Sequence, residues 1–373
     1  MSGRADLAHA EDWIRAHVEP MGPIETAHDR PWATVLRVPV ADGVVWFKAC
    51  APVQAFEPRL TAELSARYPD RVAEVLGYDE ERAWLLLGDA GTPIGAFGNP
   101  PGTWLMVLPL YAEMQRGEAA HTQDHLAHGV PDLRVATLPA RYDDLVGREL
   151  PLEREEIDRL RAFAPRFAEL CDELVARDVS ETVQHDDLHM SNVYAQGEQL
   201  RVLDWGDSSI SHPFVSLVVT FRFLEEVTKL PPGDPWFARL RDAYLEPYGR
   251  GLEGAFALSM RVGAVAHAIA WLRQRDHLGS RWCRCYFETR GTSKGVSGRR
   301  VGSRDNGGRS ARLGVQPHPS RARQGRPRAA SGDEAPSRPG RRVRPRGGAR
   351  PILLPSRGAR DPTPRLRDSR GCR

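Results

Sequence analysis

The chain has 373 residues, of which 41% are hydrophobic, and a formal net charge of +3 at pH 7. This length suits one large or two smaller packed cores, and no run of eighteen apolar residues predicts a membrane span. The first twenty residues contain several acids and no apolar segment, and the five cysteines form no CxxC pair. We therefore expect a cytoplasmic protein rather than a secreted one.

Charge is distributed unevenly along the chain. Residues 281–373 contain 25 Lys and Arg against 6 Asp and Glu, a net charge of +19, whereas residues 1–280 carry −16. The last segment is rich in Arg, Gly, Pro and Ser and has no helix or strand period, so we predict a disordered basic tail. Nucleic-acid binding by this tail is one interpretation. Translation of GC-rich DNA in the wrong frame from near residues 280–290 fits the composition better.

The first part of the chain predicts a small β-rich lobe over residues 1–88. A short amphipathic helix near residues 10–18 precedes two strands, ATVLRVPV and GVVWFKA, which are joined by a turn at ADG. The segment FEPRLTAELSARY predicts a helix that ends at Pro69 and Asp70. RVAEVLGYD and RAWLLL predict two further strands, so the order expected after the first helix is β-β-α-β-β.

Residues 89–280 predict a larger, mostly helical lobe. EEIDRLRAFAPRFAELCDELVA has a helical apolar stripe despite Pro165, and the segments FVSLVVTFRFLEEV and AFALSMRVGAVAHAIAWLRQ predict two apolar helices. Two short strands, NVYA and LRVLDW, lie between these helical segments. The expected fold class is therefore α+β, with a β-rich lobe, a helical lobe and a disordered tail.

The segment HDDLHMSN, residues 185–192, carries the strongest functional signal. It has the form H-x-D-L-x-x-x-N, and a strand that ends in Asp204 and the following Trp-Gly comes twelve residues later. This is the spacing of a phosphotransferase catalytic loop and its metal-binding Asp. The amide oxygen of Asn192 and the carboxylate of Asp204 would bind Mg²⁺. Asp187, with His185 beside it in the catalytic loop, would accept the proton of a hydroxyl group.

Two other functions use the same residues. One alternative is a metal-dependent phosphohydrolase in which His185, Asp186, Asp187 and His189 form a metal cluster. The other is a catalytically inactive protein that binds ATP, a pseudokinase. The catalytic set is complete in this sequence, which argues against decay of the site.

The β-rich lobe supplies residues for a nucleotide. Lys48 ends a strand, where it could contact ATP phosphates, and Glu57 or alternatively Glu63 could pair with it. The backbone from Leu86 to Gly88 could form hydrogen bonds with the adenine edge, or it could simply belong to a buried edge strand.

Residues 30 to about 275 resemble the aminoglycoside phosphotransferase and choline kinase-like family. The resemblance is carried by VWFK (45–48), FEPRL (56–60), HDDLHMSN and LDWGD. It implies a bilobal protein-kinase-like fold, ATP and Mg²⁺ as cofactors, Asp187 as the catalytic Asp, Asn192 and Asp204 on the metal, and Lys48 and Glu57 at the ATP phosphates. The sequence departs from the family pattern at Asp186, where Gly is usual, and it has no glycine-rich loop before Lys48.

The acceptor is predicted to be a small hydroxylated molecule. The segment DWGDSSISHPF leads directly into the next helix and leaves no room for the long activation segment of protein kinases. The acidic charge of residues 1–280 would suit an aminoglycoside or amino alcohol, and a sugar is a further candidate. Four residues could line its pocket or belong to the core: Trp104, Tyr111, Glu113 and Trp271. We expect no membrane partner, and nucleic acid only through the tail.

Overall fold

The structure is a computed structural model that describes residues 7–150, 152–231 and 233–278. The predictions of a disordered tail over residues 281–373, and of its out-of-frame origin, lie outside the described residues. The boundaries predicted after residues 88 and 280 stay predictions.

The N-terminal part is built around an antiparallel sheet. Its elements are α1 (Leu7–His17), β1 (Glu25–Asp29), β2 (Ala33–Val40), β3 (Gly43–Cys50), α2 (Glu57–Arg67), β4 (Val75–Asp79) and β5 (Trp84–Leu87). The strands lie in the order β1-β2-β3-β5-β4, so the functional candidate Lys48 is on the central strand of the sheet. In this register Lys48 lies opposite Val35 of β2 and Leu85 of β5.

The predicted hairpin of β2 and β3 is confirmed, as are β4, β5 and the helix between the two strand pairs. The expected order after the first helix was wrong by one strand, because β1 precedes β2 at the edge of the sheet. All five residues of β1 are exposed. A strand that buries no side chain has no apolar alternation, so its sequence, ETAHD, gave no strand signal.

The C-terminal part is mostly helical, as predicted. Its helices are α3 (Pro101–Glu118), α4 (Thr122–Ala127), α5 (Leu138–Gly147), α6 (Arg154–Val175), α7 (Leu217–Thr228), α8 (Pro235–Leu245) and α9 (Glu253–Leu278). Its short strands are β6 (Thr92–Pro93), β7 (Thr182–Gln184), β8 (Val193–Gln196), β9 (Gln199–Val202) and β10 (Ser209–Ser211). With a sheet in the N-terminal part and helices in the C-terminal part, the chain has the predicted α+β class.

Two small antiparallel sheets hold the candidate catalytic loop at both of its ends. Strand β7, which precedes the loop, pairs with β10, and strand β8, which follows it, lies between β6 and β9. The strand predicted over LRVLDW ends earlier, at Val202, because Asp204 adopts a left-handed backbone conformation with φ of 67°. The loop and Asp204 are thus fixed by the same hairpin.

The buried apolar side chains form three clusters in the described residues. The first lies between α1 and the five-stranded sheet and contains Ile14 and Phe47. The largest contains Leu60 and Leu64 of α2 together with Leu188 of the catalytic loop and Trp205. A third joins α5, α6 and α9. Because α2 packs in the same cluster as the catalytic loop, the position of Glu57 is coupled to the C-terminal part.

Helix α9 is the one described helix that is long and apolar enough to cross a membrane, by length and composition. Its window Glu253–Gln274 has a mean hydropathy of 1.5, and 44% of that window is buried inside the protein. The sequence predicted no membrane span because it has no uninterrupted run of eighteen apolar residues. Val262 and Ala266 of α9 are buried in the cluster with α5 and α6. Helices that pack in a globular core meet the same criterion, so it is weak evidence for a membrane span.

Candidate active site

His185 connects the start of the catalytic loop to the strand end that precedes Asp204. Its Nε2 lies 2.8 Å from the carbonyl oxygen of Leu203, and its Nδ1 accepts a hydrogen bond from the backbone N–H of Asp187 at 3.3 Å. The ring is fully buried beside Trp205, and burial lowers the pKa of His185. Since both ring nitrogens are occupied by the backbone, the structure places His185 as a support of the loop.

Asp187 lies at the accessible side of the loop. Asn192 donates from Nδ2 to the carbonyl oxygen of Asp187 at 2.9 Å and to its Oδ2 at 3.2 Å. His189 Nε2 also lies 3.2 Å from Oδ2. Burial alone would lower the pKa of His189, but the hydrogen bond and charge of Asp187 raise it. The Asp187 side chain retains 32% of its exposure, so the carboxylate is oriented from within the protein and stays accessible to solvent.

Lys48 joins the two parts of the site. Its Nζ donates to Glu57 Oε1 at 2.7 Å and to Asp204 Oδ1 at 2.6 Å. The alternative partner, Glu63, instead accepts from Arg59 Nε at 3.1 Å and lies 3.2 Å from His128 Nδ1. The structure therefore pairs Lys48 with Glu57, nine residues along the chain, and with Asp204, 156 residues along the chain.

The pKa values of these three groups show how closely their charges depend on each other. Burial would lower the pKa of Lys48, but Asp204 and Glu57 raise it well above its ordinary value. Burial raises the pKa of Glu57 despite the attraction of Lys48. For Asp204 burial would raise the pKa, and Lys48 outweighs that effect and lowers it. Lys48 is thus a firmly protonated cation between two acids.

Leu86 and Gly88, the two residues predicted to contact adenine, lie in different environments. Strand β5 lies between β3 and β4, so Leu86 is paired with Phe47 on one side and Gly77 on the other, and its side chain is buried. Leu86 therefore has no open backbone edge, and the structure does not support it as a nucleotide contact. Gly88 follows β5, and its N–H donates to the carbonyl oxygen of Glu74 at 2.9 Å.

Asp186 was left without a role by the sequence, and the structure gives it one. It has a left-handed backbone conformation, with φ of 58°, which explains why the usual residue of this loop is Gly. Its buried carboxyl accepts a hydrogen bond from the Ser209 hydroxyl, and burial raises its pKa to about 6. Asp and Asn are the non-glycine residues best suited to this conformation.

Three further residues of the site were not identified from the sequence. Asp207, the last acid of LDWGD, accepts hydrogen bonds from Gln54 Nε2 at 3.2 Å and from Gln274 Nε2 at 2.7 Å. Burial, together with the charges of Asp187 and Asp204, raises the pKa of Asp207 to about 8. Asp207 stands in the recognised motif, but the two glutamines lie far from it in the chain and carry no sequence signal.

The donor set fits Mg²⁺ better than a metal that prefers nitrogen or sulfur. Asn192 uses its amide nitrogen on Asp187, which leaves the amide oxygen for a cation, and Asp204 adds a carboxylate whose side chain is 45% exposed. Magnesium is commonly held by one or two such groups plus substrate phosphates. No group of three or more His, Cys, Asp or Glu positioned for a metal occurs in residues 7–150, 152–231 and 233–278. The cluster required by the phosphohydrolase alternative is therefore not formed there.

The candidate pocket residues are in different environments. Trp104 and Tyr111 are buried in the largest apolar cluster. Tyr111 accepts a hydrogen bond from the backbone N–H of His185 at 2.9 Å, so it supports the catalytic loop from behind. Glu113 pairs with Arg71 at 2.7 Å on the surface. Trp271 is partly exposed on α9 and lies 5.9 Å from the ring of His267.

Comparisons with known proteins show which family profile and which folds this chain resembles. Residues 105–258 match the sequence profile described as the phosphotransferase enzyme family. A search of curated proteins finds no match. Choline kinase LicA from Streptococcus pneumoniae superposes with a TM-score of 0.50 at 12% identity and covers 75% of this chain and 98% of its own.

Two other solved structures show a similar extent of overlap. Choline kinase from Cryptosporidium parvum Iowa II has a TM-score of 0.50 at 10% identity and covers 76% of this chain and 96% of its own. An aminoglycoside phosphotransferase from Streptomyces rimosus was solved with ADP and streptomycin. It has a TM-score of 0.44 at 19% identity and covers 70% of this chain and 98% of its own. The match over residues 105–258 bears out the resemblance to phosphotransferase enzymes in that part of the chain, and the two choline kinase structures show that the chain has the predicted bilobal protein-kinase-like fold.

Proposed function

We propose that this protein is a Mg²⁺-dependent phosphotransferase that moves the γ-phosphoryl group of ATP to a hydroxyl of a small molecule. The observation that carries the proposal is the contact of Lys48 with both Glu57 and Asp204. It brings a strand lysine of the N-terminal sheet to the acid that follows the catalytic loop. The match of residues 105–258 to the phosphotransferase enzyme family supports the reaction type.

Each residue of the site has a task in this reaction. Lys48 binds phosphate oxygens while Glu57 keeps its ammonium group in place. Asn192 and Asp204 would hold the metal, which neutralises charge on the phosphates when it is bound. Asp187 orients the acceptor hydroxyl and accepts its proton as the oxygen bonds to phosphorus and the bond to the leaving ADP oxygen breaks.

The acceptor class follows from the short segment between Asp204 and α7. Residues 205–216 form a short turn, strand β10 and a second turn, and β10 is paired with β7. A segment fixed in this way leaves no long activation loop on which a protein substrate could lie. We therefore propose a small hydroxylated acceptor, with aminoglycosides, amino alcohols and sugars as the classes to test.

The proposal is tested by ATP consumption of the full chain in the presence of these acceptors and Mg²⁺. We expect one class to stimulate ATP loss and to yield a phosphorylated product. Asp187→Ala should reduce the turnover number by about 100- to 10,000-fold, the usual contribution of a positioned acid or base, while the affinity for MgATP stays within about threefold. Full turnover by Asp187→Ala would refute its assignment. MgATP binding without stimulation by any acceptor would support the pseudokinase alternative.

A further inference from the structure

The C-terminal part of α9 contacts the candidate active site. Gln274 is buried and donates from Nε2 to Asp207 Oδ1 at 2.7 Å. Its neighbour Arg273 donates from Nη1 to the carbonyl oxygen of Val53 at 3.2 Å and lies 5.9 Å from the centre of the Phe56 ring. One helical turn thus bonds the segment that follows β3 and the segment that follows Asp204.

Asp207 ends the short turn that begins at Asp204. Within this turn Gly206 packs so closely that a Cβ atom there would lie 2.7 Å from Gln54 Cδ and 2.7 Å from Glu57 Oε2. Gln54 approaches the same carboxyl from the N-terminal side, with its Nε2 3.2 Å from Asp207 Oδ1. Two side-chain amides from distant parts of the chain therefore meet on one oxygen of Asp207.

The two amides supply hydrogen-bond donors to this half-buried acid. Asp207 lies among other acids, and burial followed by the charges of Asp187 and Asp204 raises its pKa to about 8. Without hydrogen-bond donors, such a carboxyl would move toward water or toward Lys48. Either movement would displace the turn that sets the direction of the Asp204 side chain.

We propose that Gln274 is a positioning residue of the phosphotransfer site, which acts through Asp207 to fix Asp204 for its metal. This inference rests on the proposed function, because it assigns Asp204 a metal ion that arrives with the nucleotide. It gives the end of α9 a role beyond packing, since the same helical turn holds the segment that leads into Glu57.

The experiment measures binding of the non-hydrolysable ATP analogue AMP-PNP to the full chain over a range of Mg²⁺ concentrations and in EDTA. Gln274→Met keeps the length of the side chain and removes its amide. We expect the Mg²⁺ concentration for half-maximal binding to rise about tenfold, which corresponds to the loss of one hydrogen bond, while metal-free binding is unchanged. Ser259→Ala is the matched control on α9, because its buried hydroxyl bonds only Phe256 of the same helix at 2.8 Å among the contacts described.

Each outcome decides the inference. An unchanged Mg²⁺ requirement in Gln274→Met would overturn the inference. An equal loss of AMP-PNP affinity with and without Mg²⁺, together with a lower melting temperature, would also overturn it, because it would indicate a purely structural role. If Gln274→Met does not fold, Gln54→Met tests the same oxygen of Asp207 from the other side and should give the same selective shift. Failure of the wild-type chain to bind AMP-PNP at any Mg²⁺ concentration would instead refute the proposed function.

Discussion

Replacement of Glu57 by Gln tests the link between the two parts of the site. Glu57 is buried and has one oxygen 2.7 Å from Lys48 Nζ and the other 3.3 Å from Cys50 Sγ. The amide of Gln has the same shape and removes the charge alone. Lys48 then keeps Asp204 as its acidic partner, so the protein should fold but hold Lys48 in a position that competes with the proposed metal.

The magnitude follows from two opposing terms. Two unit charges 2.7 Å apart attract each other by about 6 kcal/mol at an effective dielectric constant of about 20. Burial outweighs this attraction, as the raised pKa of Glu57 shows, so the Coulomb energy is not the energy of the pair. We therefore take the magnitude from the usual net contribution of a hydrogen bond to a charged group, about 1.5–3 kcal/mol. Because Lys48 needs Glu57 most when it leaves Asp204 for phosphate, we expect MgATP affinity to fall by about 10- to 150-fold.

Calorimetric titration with MgATP measures this change, and Glu63→Gln is the matched control. Glu63 is an acidic residue on the same helix, but its partners are Arg59, Arg67, His125 and His128 rather than Lys48. Its replacement should leave MgATP affinity within about threefold. Equal losses in the two variants would mean that α2 was disturbed as a whole, and unchanged affinity in Glu57→Gln would refute the role of the pair in nucleotide binding.

Two further predictions concern stability, measured by urea unfolding across pH. Burial would raise the pKa of Glu118, but hydrogen bonds and charge from His125 and Arg67 lower it, so its stabilisation is present above pH 4.5 and is lost as pH falls through its folded value. Glu118→Gln should therefore cost about 1–3 kcal/mol at pH 7 and much less near pH 3; an equal cost at both would contradict this. The effect of Asp186 on stability has the opposite sign, because burial raises its pKa from 3.8 to about 6. Its negative charge therefore destabilises the folded protein above pH 6 and has no such effect below pH 3.8, where the carboxyl is protonated. Asp186→Gly should gain stability relative to the wild type, by up to about 3 kcal/mol between pH 4 and pH 7. A constant difference over that range would refute the assignment.

Elements that bury one face were predictable, and elements held by long-range pairing were not. Strand β2 was predicted with its observed bounds, because it is rich in apolar residues and the buried Leu36 and Val38 alternate with Arg37. The exposed strand β1 and the three-residue strands β7 and β10 were missed. These strands are too short or too polar to show a period, and they form because β2 or the loop after Asp204 supplies a partner edge.

The candidate site shows the same division. Lys48, Asp187, Asn192 and Asp204 were predicted from their residue types, from their spacing and from their places at strand ends or in the loop. Which of two glutamates pairs with Lys48 depended on the packing of α2, and the sequence left both open. The amides that hold Asp207 come from positions 54 and 274, and hydrogen bonds between such distant residues have no local pattern.

The balance of charge in the site bears on how a nucleotide could enter it. Four carboxyl groups, those of Glu57, Asp187, Asp204 and Asp207, converge there, and Lys48 bonds two of them while His189 bonds Asp187. Burial raises the pKa of Asp207, and the charges of Asp187 and Asp204 raise it further. Triphosphate adds further negative charge, so the proposed reaction requires cations to arrive together with ATP. Affinity for ATP should thus depend on Mg²⁺ more steeply here than in a phosphate site lined by several arginines.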